Sequence, residues 1–219
     1  MSRPGDLAFQ ASLMGCSEPV GLRPLTGLRR RQLTGGAWID SLPGWLSGAD
    51  DVFGRLLERV PWLDEHRVMY DRSVAVPRLL RFYDVDETLP DPVLVAARRA
   101  LGDHYEDELG ERFRTTGLCL YRDGRDSVAW HGDRIGRGSV ADTMVAILSL
   151  GQPRALSLRQ RRTASRASGR RGTLRYELGH GDLLVMGGSC QRTWEHAVPK
   201  TTRPVGPRIS VQFRPAGVR

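Results

Sequence analysis

Three side chains in the second half of the chain have the types and spacing of metal ligands. His131 and Asp133 lie two residues apart where a predicted strand ends, so the alternation of a strand turns both side chains to one face. His196, near the end of a later predicted strand, adds a second imidazole. Two histidines and one carboxylate form the facial triad that binds Fe(II) and leaves neighbouring positions open for dioxygen and a co-substrate. The spacing therefore predicts an iron site at His131, Asp133 and His196.

The last predicted strand has the spacing of a dicarboxylate clamp. Arg208 and Arg214 lie on one face of this strand, with Cα atoms about 20 Å apart if it is fully extended. Each guanidinium reaches roughly 6 to 7 Å inward, so a gap of about 7 Å remains between the two forks. We expect a short dicarboxylate to bind there through paired, charge-assisted hydrogen bonds.

Eight short segments after residue 115 alternate in the manner of strands, and they must position these side chains. Turn signals such as Asp123-Gly124 separate them. In chain order the segments are TGLCLY, SVAWHGD, TMVAILSL, RALSLRQ, TLRYEL, LLVMG, TWEHAV and RISVQF. Because this run of strands follows predicted helices, we expect an α+β fold in which two helices buttress an antiparallel barrel or a double-sheet jelly roll.

Two helices are predicted ahead of the strands. Apolar residues recur at helical spacing over residues 53–60, after a capping box that begins at Ser47. A second helix is capped by Asp91, has Pro92 in its first turn and ends near Gly110.

Composition bounds the domain organisation and the partner. The chain has 219 residues, of which 40% are hydrophobic, and the first 30 show no sustained period. We therefore expect an irregular arm over residues 1–30 and a single domain over residues 31–219. The chain carries 33 basic and 25 acidic residues, and every basic residue except Lys200 is an arginine. The net charge of +8 favours a polyanionic partner such as nucleic acid, although GC-rich codon usage also replaces lysine with arginine.

Cysteine and hydropathy patterns indicate the compartment. Cys16, Cys119 and Cys190 form no C-x-x-C pair, so neither a disulfide framework nor a cysteine zinc site is predicted. The longest apolar run, residues 144–150, falls far short of the roughly 20 residues that a membrane helix needs. We expect a cytoplasmic monomer with no membrane association.

Five motifs in order give the sequence a family resemblance. They are LCLYRDGRDSVAWHGD (residues 118–133), AILSLGQPR, GHGDLLVMGG, TWEHAVP and PRISVQFR. Together they resemble the AlkB family of Fe(II)- and 2-oxoglutarate-dependent dioxygenases, which dealkylate nucleic acids, over roughly residues 68 to 214. The resemblance implies a double-stranded β-helix over about residues 115–214. Two helices and a nucleotide-recognition lid, about residues 68–86, would precede it.

The resemblance also assigns roles to site residues. It implies Fe(II) at His131, Asp133 and His196, with 2-oxoglutarate and dioxygen as co-substrates. Tyr121 and Arg208 would bind the distal carboxylate of 2-oxoglutarate, and Arg214 the carboxylate end that chelates iron. The implied reaction removes an N-alkyl group from a DNA or RNA base and releases succinate, carbon dioxide and an aldehyde. No catalytic residue beyond the metal ligands is implied.

Two positions depart from the family pattern, and the contacts to the nucleic acid are less specific. Cys119 stands in the co-substrate site where an asparagine is common, and Ile135 stands where an acidic residue often contacts the damaged base. The candidates for contact with the base or its flanks are Tyr70, Arg78, Tyr83 and Ile135. Arg161 and Arg162, in an arginine-rich loop between residues 154 and 175, are candidates for contact with phosphates.

Two other functions are compatible with the sequence. Ile135 and the weakly aromatic lid fit an oxygenase of the same fold that acts on a protein side chain or a small metabolite. The arginine-rich loop and Cys119 fit a basic nucleic-acid-binding module with a degenerate metal site. The preserved metal ligands and both arginines favour the dioxygenase over this binding module.

Overall fold

The alternating segments after residue 115 form eight strands at the predicted places, and six strands precede them in the described ranges. The computed structural model describes residues 18–69, 72–133, 137–161 and 172–218. The strands are β1 (Gly21–Leu22), β2 (Arg29–Gln32), β3 (Ala37–Leu42), β4 (Leu46–Ser47), β5 (Leu63–Met69), β6 (Arg72–Tyr83), β7 (Thr115–Tyr121), β8 (Val128–His131), β9 (Val145–Gly151), β10 (Arg154–Gln160), β11 (Leu174–Leu178), β12 (Asp182–Gly188), β13 (Trp194–Val198) and β14 (Arg208–Arg214). The helices are α1 (Ala49–Arg59), α2 (Pro92–Leu109) and the short α3 (Cys190–Thr193).

Two antiparallel sheets make the jelly roll. The larger sheet has the strand order β2-β3-β12-β9-β14-β7-β6-β5, and the smaller sheet has the order β11-β10-β13-β8. Strands β7 to β14 contribute four strands to each sheet, and all the pairings between neighbouring strands are antiparallel. The predicted α+β fold with a double-stranded β-helix is confirmed.

Apolar clusters on both faces of the larger sheet fix which side chains face the jelly-roll interior. One cluster joins α1 and α2 to the sheet and includes Phe53, Leu101 and Val211. The other lies between the two sheets and includes Ile147 and Leu158. Because β14 alternates, its remaining face points between the sheets. That face carries Arg208, Ser210, Gln212 and Arg214, which we call the polar row.

Helix α2 begins and ends as predicted, whereas the predicted cap of α1 is wrong. Asp91 Oδ1 accepts a hydrogen bond from Val93 N at 3.0 Å, and α2 ends at Gly110. Helix α1 is preceded by Gly48 in the left-handed region, at φ 60°, and no side chain caps it. Ser47 cannot act as the cap because it pairs with Gly21 in the small β1-β4 ribbon, where its Oγ lies 2.8 Å from Pro19 O.

The described part of the predicted irregular arm is ordered, which corrects that prediction for residues 18–30. Strand β1 pairs with β4, and β2 pairs with β3 at the edge of the larger sheet. The sequence does not predict β2, because its four residues are mostly arginines, are exposed and show no apolar alternation. Residues 1–17 lie outside the described residues, and the single domain over 31–219 stays a prediction.

The predicted lid is a hairpin that extends the larger sheet. Strand β5 pairs with β6, and β6 pairs with β7 from Leu79 to Tyr83. Ser127 N donates to Pro77 O at 2.8 Å, which attaches the hairpin to the segment before β8. The hairpin therefore borders the side of the jelly roll on which β7 and β8 lie.

Candidate metal and co-substrate site

His131, Asp133 and His196 come together and form what we call the metal cluster. One ligand atom from each lies within 4.8 Å of the others. His131 and His196 are directly paired between β8 and β13, and their ring centroids are 4.2 Å apart. Asp133, two residues beyond His131, places Oδ1 3.6 Å from His131 Nε2. Strand pairing thus fixes the two imidazoles, and the loop after β8 adds the carboxylate.

Hydrogen bonding orients one imidazole of the cluster, and burial keeps the other one neutral. His131 Nδ1 lies 2.9 Å from Ala129 O, and a carbonyl oxygen only accepts, so Nδ1 carries a proton and Nε2 is the ring nitrogen directed toward Asp133. Burial, and after it the neighbouring His131, lowers the pKa of His196 to about 3 although Asp133 opposes this. His196 is therefore neutral at pH 7, as a metal-binding imidazole must be.

Two other elements hold Asp133 in place. Arg214 Nε donates to Asp133 Oδ2 at 2.6 Å, which leaves Oδ1 toward His131. Burial alone would raise the pKa of Asp133, but Arg214 and the two histidines lower it to about 2. The carboxylate is therefore ionised at neutral pH, with one oxygen held by Arg214 and the other directed to the cluster.

Gln191 is a site residue that the sequence does not reveal. It lies in α3, is 1% exposed, and its Oε1 accepts a hydrogen bond from Asp133 N at 3.0 Å. Its Nε2 is buried and has no hydrogen-bond partner among the described residues. Because Asp133 lies beyond the end of β8, this side chain replaces the strand pairing that would otherwise hold the Asp133 backbone.

The Arg208 end of the polar row holds a buried guanidinium with a free donor. Arg208 is 1% exposed, its Nε donates to Ser149 Oγ at 3.0 Å, and its Nη1 has no partner among the described residues. Burial lowers the pKa of Arg208. Tyr121 is directly opposite on β7, and burial raises its pKa to about 12, so its hydroxyl stays protonated. Unsatisfied donors of this kind are suited to an anionic oxygen ligand.

Gly117 lets two side chains of the polar row pack closely against β7. A Cβ atom on Gly117 would lie 2.9 Å from Arg214 Nη1 and 3.1 Å from Gln212 Oε1, so a larger residue at this position would displace these two groups. Gly117 is opposite Gln212, and Cys119 is opposite Ser210. The predicted co-substrate residues Tyr121, Cys119, Arg208 and Arg214 thus lie along one inward surface formed by β7 and β14.

Comparisons with known proteins identify the family. Residues 83–214 match the model of the 2OG-Fe(II) oxygenase superfamily. The chain is 31% identical over 195 residues to the alpha-ketoglutarate-dependent dioxygenase alkB homolog 3 of Bos taurus, which covers 83% of this chain and 67% of that protein. The Homo sapiens protein of the same name is 30% identical with the same coverage. The chain is an AlkB-type 2-oxoglutarate- and Fe(II)-dependent dioxygenase.

More distant relatives agree with this family and with the fold. The AlkB-type chain is 28% identical over 126 residues to the DNA oxidative demethylase ALKBH2 of Homo sapiens, which covers 57% of this chain and 48% of that protein. The solved structure of OsALKBH1 superposes with a TM-score of 0.56 at 14% identity, covering 85% of this chain and 99% of that one. The structural likeness supports the AlkB-type fold alone.

The residues present fit the iron and the 2-oxoglutarate that AlkB-type dioxygenases use. The metal cluster offers two imidazoles, of which His196 is neutral, and an ionised carboxylate, the donor set of a non-haem Fe(II) centre. The orphaned Nη1 of Arg208 lies on the same strand as Arg214, which contacts Asp133 of the metal cluster. The two arginines therefore fit a dicarboxylate held at both ends, with one end at the metal cluster.

The structure contradicts one predicted base contact of the AlkB-type lid. Tyr83 is 5% exposed and packs in the apolar cluster beneath α1 and α2. Alternate residues of a strand point to the same face, so Tyr83 faces the same side of β6 as Leu79, which lies in the same cluster. Tyr83 is a core residue and cannot contact a base.

The other predicted contacts have different outcomes. Arg78 lies beside the co-substrate residues, where burial would lower its pKa but Cys119 and Tyr121 raise it, and its Nη1 donates to Ser127 O at 3.2 Å. Arg161 directly follows β10, an inner strand of the smaller sheet, and its backbone N donates to Thr193 O at 2.8 Å. Tyr70, Ile135 and Arg162 lie outside the described residues.

Proposed function

We propose that this AlkB-type dioxygenase removes alkyl groups from N-alkylated bases in DNA or RNA. The observation that carries the proposal is the joint geometry of the metal cluster and the polar row, since Arg214 contacts Asp133 while Arg208 keeps a free, buried donor on the same strand face. This arrangement serves an iron centre with a bound dicarboxylate, and a simple binding module has no use for it.

Each residue has a role in the proposed reaction. His131, Asp133 and His196 would hold Fe(II), Tyr121 and Arg208 would bind the distal carboxylate of 2-oxoglutarate, and Arg214 would hold its other end. Bound iron supplies the activation of dioxygen that oxidises both 2-oxoglutarate and the N-alkyl carbon. For an N-methyl group the products are succinate, carbon dioxide, formaldehyde and the unmodified base.

The nucleic-acid substrate is supported by the relatives and by charge. Two of the relatives are named alkB homolog 3 and DNA oxidative demethylase ALKBH2. The net charge of +8 favours binding of a phosphate backbone, which positions a substrate without specifying its sequence. No helix in the described ranges is long and apolar enough to cross a membrane. The cytoplasmic location and the monomeric state stay predictions from the sequence.

A demethylation assay tests the proposed substrate. The protein is incubated with Fe(II), ascorbate, 2-oxoglutarate and an oligonucleotide that carries 1-methyladenine or 3-methylcytosine, and the base mass is then measured. We expect loss of the methyl mass and release of formaldehyde, and neither with His131→Ala. Consumption of 2-oxoglutarate with every methylated base intact would instead support an oxygenase of a protein side chain or a small metabolite.

A further inference from the structure

The pairing that brings His131 beside His196 is short and irregular. Strand β8 has four residues and lies at the edge of the smaller sheet, next to β13. His131 pairs with His196, and Val128 pairs with Val198. Three steps along β8 thus match two steps along β13, so β8 contains a bulge between the two pairs. Because successive residues of a strand point to opposite faces, a slip of one residue would turn His131 away from the metal cluster.

The ladder between β8 and β13 also ends close to the metal cluster. The residue after β13 is Pro199, which carries no N–H and cannot donate to a neighbouring strand. The residue before β8 is Ser127, whose N donates to Pro77 O of the lid hairpin instead. The pair Val128–Val198 is therefore the last pair of the two strands, three residues from His131.

Arg154 links the two strands beyond their last pair. It is the first residue of β10 and is 4% exposed. Its Nη2 donates to Asp126 O at 2.9 Å and to Pro199 O at 2.8 Å, and its Nη1 donates to Asp123 O at 2.9 Å. Asp126 lies two residues before β8, and Pro199 directly follows β13. One guanidinium nitrogen thus joins the segment that enters β8 to the segment that leaves β13.

The same two segments pack on each other beside Arg154. Thr201 N donates to Gly124 O at 2.9 Å, and a Cβ atom on Gly124 would lie 2.3 Å from Thr201 O, so this approach requires glycine. The buried carboxylate of Asp126 accepts from Arg122 N at 2.8 Å and from the Arg122 guanidinium. The carbonyl oxygens that Arg154 binds therefore belong to a turn with its own hydrogen bonds.

The burial of Arg154 favours a role in holding these segments. Burial lowers its pKa, although Tyr121 and Asp126 oppose this. A buried cation tends to destabilise a fold, and an apolar side chain of similar length would fill the same space without that penalty. Several directed donors on one planar group are what arginine adds, and all three of its hydrogen bonds go to main-chain oxygens.

We propose that Arg154 is a positioning residue of the metal cluster and holds β8 in the register that places His131 opposite His196. The inference rests on the metal cluster as the Fe(II) site of the proposed function. It gives a residue that contacts neither the metal ligands nor the polar row by hydrogen bonds a specific effect on metal affinity.

Calorimetric titration of the full-length protein with Mn(II), without 2-oxoglutarate or nucleic acid, tests this inference. We expect Arg154→Met to weaken Mn(II) binding about tenfold, the usual scale of loss for a residue that orients a metal ligand. Arg154→Lys keeps a cationic donor for the carbonyl oxygens but loses the fork, so its loss should be smaller, about threefold.

The matched control is Arg98→Met. Arg98 Nη1 also donates to a main-chain oxygen, Arg114 O at 2.8 Å, but Arg98 lies on α2. Its replacement should change the Kd of Mn(II) less than about twofold.

A disulfide across the last strand pair tests the register directly. Opposite residues of antiparallel strands have Cα atoms about 4.5 to 5.5 Å apart, within the range of a disulfide. In a protein with Val128→Cys and Val198→Cys, the oxidised form keeps the register covalently. Adding Arg154→Met should then weaken Mn(II) binding less than about threefold in the oxidised form and about tenfold in the reduced form.

Three results would overturn the inference. They are an unchanged Kd of Mn(II) in Arg154→Met, an equal loss in Arg98→Met, and equal losses in the oxidised and reduced forms of the cysteine pair. Thermal unfolding of each metal-free variant shows whether it is folded, and Arg154→Lys tests the proposal by itself if Arg154→Met does not fold. Since the titration contains no alkylated base, failure here and failure of the proposed demethylation are distinguishable.

Discussion

Arg208 is among the largest fully buried side chains of the described protein, and its burial has a cost that a ligand would remove. The guanidinium donates to Ser149 Oγ and is hydrogen-bonded to Tyr121, while its Nη1 has no partner among the described residues. A buried cation without an anionic partner destabilises a folded protein, whereas the same cation paired with a carboxylate does not. At this position the residue therefore serves ligand binding at the expense of stability.

Replacement of Arg208 by methionine should separate these two effects. We expect the free energy of unfolding of the ligand-free protein to stay the same or rise, because an unpaired buried charge is replaced by an apolar side chain. The Kd of 2-oxoglutarate should increase at least about thirtyfold, because a charge-assisted, forked contact is lost. Urea unfolding and calorimetric titration measure the two quantities. A large loss of stability without ligand would show that Arg208 has a structural role instead.

Gln191 should determine metal affinity through the Asp133 backbone. Gln191→Leu removes the acceptor for Asp133 N and leaves a buried N–H unpaired. Changes to residues that orient a ligand typically cost about 10- to 100-fold in metal affinity, and we expect about tenfold for Mn(II) here. The matched control is Gln32→Leu, an exposed glutamine of β2. Equal Mn(II) affinities of wild type and Gln191→Leu would contradict this role.

At the scale of elements, Arg30 anchors the edge of the larger sheet to α2. It pairs with Asp40 on β3 and with Glu108 on α2, each at 2.8 Å, and its guanidinium lies 3.7 Å from the Trp38 ring centroid. Asp40 is 3% exposed and also accepts from Tyr105 of α2. This network explains why a polar strand such as β2 is ordered.

Arg30→Ala should lower the free energy of unfolding by about 1 to 3 kcal/mol, because it leaves Asp40 buried with one partner fewer. The estimate is below the value for a fully buried pair, since Arg30 is partly exposed. Arg29→Ala, an exposed neighbour on the same strand, should cost less than about 0.5 kcal/mol. Urea unfolding compares the two. Similar losses in both variants would indicate a general effect of β2 rather than the ion pair.

His180 makes the turn between β11 and β12 sensitive to pH. Its Nδ1 accepts from Gly151 N at 2.7 Å, and burial lowers its pKa below 6.5 although Asp50 opposes this. The folded state therefore favours the neutral ring, so the stabilisation is complete above pH 6.5 and is lost as pH falls below 6.5.

His180→Asn keeps an acceptor near Gly151 and cannot titrate, so it should flatten this dependence. We expect the free energy of unfolding of the metal-free wild type to fall more steeply between pH 7.5 and 5.5 than that of the variant. His196 titrates in both proteins, so the difference isolates His180. Parallel urea-unfolding curves across this range would contradict the assignment.

The sequence predicts elements that have their own pattern and misses those that depend on neighbours. The strands β7 to β14 and the α2 boundaries at Asp91 and Gly110 follow from alternation and capping. Strand β2 has no apolar pattern, and contacts with β3 and α2 hold it in place. Gln191 has no signal either, because its contact with Asp133 joins residues 58 positions apart through a four-residue helix. The prediction for Tyr83 was wrong because the segment LLRF in β6 does not alternate between apolar and polar residues, so the sequence does not show which face of the strand carries Tyr83.

At the scale of the whole molecule, much of the arginine excess is neutralised locally. Ion pairs such as Arg55–Asp91, Arg81–Glu87 and Arg122–Asp126 use arginines within the described structure. Residues 162–171, in contrast, contain four arginines and no acidic residue. They begin four residues beyond Leu158, which pairs with His196 of the metal cluster. The sequence thus concentrates positive charge in the segment that follows β10.

Replacement of arginines 162, 166, 170 and 171 by glutamine should weaken oligonucleotide binding and flatten its salt dependence. Each lost phosphate contact lowers the slope of log K against log salt by about 0.7 to 0.9. Turnover of 2-oxoglutarate without nucleic acid should be unchanged. The control replaces the exposed arginines 29, 31, 59 and 99, which keeps the change in net charge equal. Equal slopes for the two variants would assign binding to overall charge.

The stoichiometry of succinate to formaldehyde tests the central claim most directly. Both products are measured in one reaction that contains the protein, Fe(II), 2-oxoglutarate, ascorbate and an oligonucleotide with 1-methyladenine or 3-methylcytosine. If the metal cluster and the polar row together perform oxidative demethylation, the methylated oligonucleotide raises succinate formation, and about one formaldehyde accompanies each additional succinate. His196→Ala should abolish both products. Succinate formation that is the same with methylated and unmethylated oligonucleotides, without formaldehyde, would contradict the claim.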